Sequence, residues 1–137
     1  GQVTSGANAV AQIAAVTALK AEPASCVDFQ NMKTAFNERR DYVVKRIADI
    51  PGMIPNNPDG AFYVFPNIAQ LFGKSNGDTT INNDNDLCLY ILNKANVALV
   101  TGSAFGNSNR IRFSYATSME QIKEALDRIE KALSDLK

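Results

Sequence analysis

Histidine and tryptophan are absent from the 137 residues, and cysteine occurs only twice. Without an imidazole the chain holds no Ser/His/Asp or Cys/His nucleophile, no His-ligated zinc and no histidine general base. Cys26 and Cys88 stand far apart with no CxxC spacing. Neither a metal site nor a disulfide framework follows from them, and a reducing, cytoplasmic setting is expected. Neither sign of charge is in excess: 14 Lys and Arg face 14 Asp and Glu. That balance removes the basic bias of a nucleic-acid or anionic-membrane binder, so neither partner is expected. No apolar run approaches the ~20 residues that a membrane span needs. The opening stretch Gly1–Gln12 has neither the basic start nor the apolar run of a signal peptide.

What is present suits one folded core: 45% of the residues are hydrophobic and 20% charged. From Val3 to Lys20 an Ala-rich run, apolar on most sides, follows the small polar residues Thr4, Ser5 and Asn8. It predicts a mostly buried helix, and its shortage of charge calls for a packing partner. Glu22-Pro23 breaks it. From about Val27, a stripe of Phe29, Met32, Phe36, Val43, Ile47 and Ile50 predicts an amphipathic helix of about six turns, ended by Pro51-Gly52. Its charges Glu38, Arg39, Arg40, Asp41, Lys45 and Arg46 are expected to be mostly a solvated face.

A Pro- and Asn-rich loop then leads into an aromatic strand at Ala61–Phe65, stopped by Pro66. Phe72–Asp86 is polar and Gly-rich and reads as an exposed excursion with a short hairpin or turn. Asn83 or Asp84 caps a helix over Asn85–Lys94 with Leu87, Cys88, Ile91 and Ala95 on its buried face, which makes Cys88 a small core residue. Val97–Val100 predicts a strand buried on both faces. Arg110–Tyr115 alternates strictly, Ile111, Phe113 and Tyr115 against Arg110, Arg112 and Ser114. A capping-box start at Thr117 or Ser118 opens a last helix carrying Ile122, Leu126, Ile129, Leu133 and Leu136. The fold class is α+β, a small mixed β-sheet covered by helices.

The chemistry-bearing feature is an arginine fixed in a strand behind a glycine-flanked loop. A guanidinium offers a planar fork of N–H donors that matches a carboxylate in bidentate geometry, as a lysine cannot. Arg112 fits that role, and Arg110 on the same face fits it equally; a surface arginine paired with a nearby acid is the alternative reading of either. Thr101–Gly106 (TGSAFG) can turn sharply and offer backbone N–H groups to an anion, but it has no GxGxxG fingerprint and no P-loop lysine. The acidic residues show no paired acid/base spacing.

Four blocks, TSGANAVAQIAAVTAL at Thr4–Leu19, GAFYVFP at Gly60–Pro66, VALVTGSAFG at Val97–Gly106 and RIRFSYATSMEQIKEALDRIEKAL at Arg110–Leu133, occur in an order and spacing that resemble one family. Together they resemble the C-terminal third of the pyridoxal-phosphate-dependent aspartate aminotransferases of fold type I, in the bacterial branch of the class I/II aminotransferases. The resemblance spans essentially the whole chain, Phe72–Asp86 being its least constrained part.

It implies that residues 1–22 end a large-domain segment, and that residues 23–137 form a long connecting helix and a C-terminal small domain. It implies Arg112, not Arg110, as the residue that binds the substrate α-carboxylate, and Phe62 as an aromatic wall near the substrate, with a core role for Phe62 left open. Ser5 falls in a segment that, in the family, approaches the neighbouring subunit's site. The implied activity of the full-length enzyme is transfer of an amino group between an amino acid, aspartate among the candidates, and a 2-oxo acid, through pyridoxal 5'-phosphate, in a cytoplasmic homodimer. The family's Schiff-base lysine and its other cofactor-holding residues lie upstream of this stretch, so no catalytic or cofactor-binding residue is assigned and the fragment alone is expected to be inactive. Thr101 stands where the family usually has Pro. A different class remains open: a non-catalytic α+β module binding carboxylate ligands through Arg110 and Arg112.

Overall fold

A computed structural model describes residues 6–137. The expected site residue Ser5 and the start of the first helical block lie outside the described residues. The chain divides into two units, Gly1–Ala35 and Phe36–Lys137.

In the first unit, α1 (Ala9–Lys20) is held by alanine's helix propensity and by its cap, the Asn8 side chain accepting from the Val10 N–H at 2.9 Å. A single 3-10 turn at Pro23–Ser25 follows, because proline cannot continue a helix, and α2 (Val27–Asp49) begins. The expectation that α1 is mostly buried is not met: none of its residues is buried, and Val10, Ile13 and Leu19 are 76%, 71% and 86% exposed. Its apolar residues point around the whole helix, so no single face collects them for burial.

The second unit contains the rest of α2, then β1 (Tyr63–Val64), α3 (Asp84–Ala95), β2 (Val100–Thr101), β3 (Ile111–Ser114) and α4 (Met119–Ser134). The α+β class and the helix-covered sheet are as expected. The sheet order is β1-β3-β2. It is antiparallel at both pairings rather than mixed, Tyr63 opposite Ser114 and Val100 opposite Arg112. The reason is topological. The connection through α3 leaves β1 and β2 running the same way, but β3 returns between them and takes both edges, so no parallel pair is hydrogen bonded.

Helical periodicity carries through to the packing. Leu87, Cys88, Ile91 and Ala95 of α3, and Ile122, Leu126, Ile129 and Leu133 of α4, join Val43 and Ile47 of α2 in one core with Ile111 and Phe113. Tyr90 also enters this core, its hydroxyl donating to the Ala132 carbonyl at 2.9 Å. Arg46 departs from the solvated face expected for α2. It is half-buried and reaches α4, with a guanidinium nitrogen 2.7 Å from Asp127 and 2.9 Å from Glu130, and these acids hold its pKa above the usual arginine value. The polar excursion does contain a turn, closed by a bridge between Ser75 and Thr80.

The two short strands fall short of their sequence patterns. β1 covers only Tyr63–Val64 because Ala61 adopts φ +58° and the Phe65 N–H donates to the Asn56 side chain instead of a strand. Of Val97–Val100, only Val100 is in β2, and none of the four is buried. As an edge strand, β2 has β3 on one side and, among the described residues, no strand on the other.

Candidate functional site

Strict alternation in β3 assigns its two faces. Ile111 and Phe113 enter the core with Tyr115, while Arg110, Arg112 and Ser114 project from the opposite face. Tyr63 lies opposite Ser114 on β1, which makes it the diagonal neighbour of Arg112 on that open face. On the other side of β3, Val100 lies opposite Arg112, and a 3-10 turn at Gly102–Phe105 follows β2.

These elements place the Arg112 guanidinium between two rings. Its Cζ lies 4.3 Å from the Tyr63 ring centroid and 4.2 Å from that of Phe105. Stacking of this kind uses the cation's flat faces and leaves its edge, where the N–H donors are, free to point outward. Among the described residues Arg112 makes no ion pair and no side-chain hydrogen bond. Arg110 is used differently: its Nη1 donates to the Phe65 carbonyl at 2.6 Å, and its Cζ lies 5.8 Å from the Phe65 ring. The two strand arginines, equivalent by alternation, are therefore separated by their surroundings.

Phe62 is 39% exposed, with its ring 4.6 Å from that of Tyr63 and 6.2 Å from that of Phe36. Its backbone carbonyl accepts from Tyr115 N–H at 2.9 Å. It thus belongs to an aromatic group next to the Arg112 stack. Sequence reasoning missed Tyr63 and Phe105 as neighbours of Arg112. Phe105 lay inside the quoted loop, and Tyr63 could have been found only by knowing the β1–β3 register.

The TGSAFG loop does not form an anion cradle. The Ser103 N–H donates to the Asp84 carboxylate at 2.8 Å, Gly106 N–H to Ser103, and Asn107 N–H to Gly102, so those amides are engaged within the protein. Gly102 has no room for a side chain, since a Cβ there would overlap the backbone carbonyl oxygens of Arg110 and Asn107. Gly106 turns the chain at φ +80°, in the left-handed region that suits glycine. Among the described residues Asp84, 4% exposed, is the buried charged residue. Burial pushes its carboxyl pKa up, but hydrogen bonds from Ser103 and from the first amides of α3 outweigh this and leave it below the usual carboxylate value. Cys88 is buried, as expected; desolvation and the Asp84 charge push its thiol up to about 11. Among the described residues no cluster of His, Cys, Asp or Glu could hold a metal ion, and no helix is long and apolar enough to cross a membrane.

The Arg112 guanidinium thus stands between two rings on the central strand of an α+β unit, and comparison with known proteins places the chain in a family. The family model described as aminotransferase class I and II matches residues 2–129, and the chain belongs to that family. It is 44% identical to the bifunctional aspartate aminotransferase and glutamate/aspartate-prephenate aminotransferase of Petunia hybrida, with 99% of this chain aligned to 29% of that protein. To an aspartate aminotransferase of Rhizobium meliloti (strain 1021) it is 42% identical, with 98% of this chain aligned to 32% of that protein. The crystal structure of the aspartate aminotransferase from Rhizobium meliloti superposes with a TM-score of 0.89 at 40% identity, over 99% of this chain and 34% of that one. An alanine aminotransferase from Pyrococcus furiosus gives 0.78 at 34% identity, over 93% of this chain and 30% of that one. The chain thus spans about a third or less of the length of these relatives.

Proposed function

We propose that this chain is the substrate-carboxylate half of an aminotransferase active site, with Arg112 as the residue that binds the α-carboxylate of an amino acid or 2-oxo acid. The observation that carries this reading is the guanidinium itself. It is fixed by two rings, has no acidic partner among the described residues, and stands in the strand position that the family resemblance marks. Two charge-assisted hydrogen bonds from one rigid fork would hold a carboxylate in a single orientation. Phe62, partly exposed beside the stack, supplies an apolar wall for the ligand's side chain.

The longer protein is read as a cytoplasmic homodimer that uses aspartate and a 2-oxo acid. Within it, residues 1–22 end the large-domain segment, and residues 23–137 form the connecting helix and small domain. Pyridoxal 5'-phosphate, when bound, supplies an electron sink for cleavage at the amino acid's Cα. The groups around Arg112 do not fit it: the rings of Tyr63 and Phe105 carry no amine, and the amides of Ser103, Gly106 and Asn107 are taken. The cofactor is therefore assigned to none of these residues.

The test is Arg112→Ala in the full-length enzyme. Loss of two charge-assisted hydrogen bonds of about 1.5–3 kcal/mol each lowers kcat/KM for aspartate by roughly two orders of magnitude or more. A value within a few-fold of the unsubstituted enzyme refutes the assignment.

A further inference from the structure

We propose that Asp84 is a positioning residue for the Arg112 guanidinium, acting through the Ser103 amide and the Phe105 ring. The inference rests on the reading of Arg112 as the carboxylate-binding group and extends it one layer outward. Asp84 is 4% exposed, and burying a carboxylate is costly unless hydrogen bonds compensate. Its location has a specific consequence: its Oδ2 accepts from the Ser103 N–H at 2.8 Å, at the start of the 3-10 turn Gly102–Phe105.

The last residue of that turn is Phe105, whose ring forms one wall of the Arg112 stack at 4.2 Å. Phe105 itself is 48% exposed and meets the Phe65 ring edge-on at 6.2 Å, so burial fixes it only in part and the backbone of the turn sets where its ring starts. Three restraints act on that backbone. Gly102 sits against the carbonyl oxygens of Arg110 and Asn107, Gly106 closes the turn at φ +80°, and Asp84 ties Ser103 to the first turn of α3. The first two orient the ends of the turn, and Asp84 links it to α3. Thr101 enters the turn at φ −60°, the value a proline would impose, but threonine does not lock it. The carboxylate therefore supplies restraint that the residue at position 101 does not.

In the full-length holoenzyme, Asp84→Ala is expected to raise KM for both the amino acid and the 2-oxo acid about tenfold, with kcat within about twofold. Both substrates carry the carboxylate that Arg112 binds. Asp84→Asn, which keeps an acceptor oxygen for the Ser103 N–H, should stay within about threefold of the parent KM. A purely structural role would lower the amount of active enzyme and leave KM unchanged. Phe105→Leu removes the ring without touching the buried carboxylate and should reproduce the KM rise even if Asp84→Ala does not fold. The proposal is overturned if Asp84→Ala, or Phe105→Leu in its place, leaves KM within twofold while Arg112→Ala lowers kcat/KM by roughly two orders of magnitude. If Arg112→Ala has no effect, the carboxylate reading itself falls and takes this one with it.

Discussion

Replacing Arg112 by lysine separates what the charge contributes from what the shape contributes. Lysine keeps the positive charge at the end of a flexible stem, but it offers a point donor in place of a planar fork. The structure sets the size of the loss. Arg112 meets Tyr63 and Phe105 at 4.3 and 4.2 Å before any ligand arrives, so the energy of those ring contacts is present in the free and the bound protein alike, and what the rings add to kcat/KM is the orientation of the fork. What does not cancel is the second hydrogen bond to the carboxylate, about 1.5–3 kcal/mol for a charged pair. At 1.36 kcal/mol per factor of ten, Arg112→Lys in the full-length enzyme lowers kcat/KM by roughly 10- to 150-fold, less than Arg112→Ala does. The assay is steady-state transamination with aspartate, the two variants measured beside the parent at equal cofactor loading. If the lysine enzyme matched the parent within threefold, a bidentate fork would not be what binds the carboxylate, and the reasoning from the stacked geometry would be wrong.

Two other outcomes follow from the buried groups behind the site. The Asp84 carboxyl sits below its usual pKa in the folded protein, so its contribution to stability is present above the unfolded-state value and is lost as pH falls through the folded one. Urea unfolding should therefore show Asp84→Asn less stable than the parent at neutral pH, the gap closing in acid; a gap independent of pH would contradict this. Cys88 is buried with its thiol pushed up to about 11, whereas Cys26 is exposed. A thiol reagent at pH 8 should label one cysteine of the folded chain quickly and the second only on unfolding; two fast equivalents would refute it.

The helices of the Phe36–Lys137 unit could be read from the sequence because each repeats the same choice many times. In α4, five buried positions from Ile122 to Leu133 agree on one face, so no single residue has to decide it. The alternation of β3 was legible for the same reason and correctly sorted Ile111, Phe113 and Tyr115 from the arginines. The flanking strands were not, because two residues cannot establish a period. The limits of β1 come from Ala61's backbone and the Asn56 side chain, which no pattern within the strand contains. α1 failed differently: its apolar character was read as burial, but burial depends on a covering surface, and a sequence records only the demand for one. The choice of Arg112 over Arg110 came from resemblance, since alternation treats them alike. The physical difference between them, a carbonyl at Phe65 against two rings, lies across the sheet from both.

The hydrophobic core runs from Val43 to Leu136, and among the described residues none of 6–35 is buried. A single core of this size is expected to open cooperatively, whereas α1 has no buried residue of its own. In the chain by itself, the amides of a 12-residue helix with every side chain exposed exchange with solvent deuterium at rates set by local helix–coil fluctuation. The amides of α3 and β3 exchange only as fast as the core opens. One polypeptide would thus give two exchange regimes, and the slow one reports on the scaffold that carries Arg112.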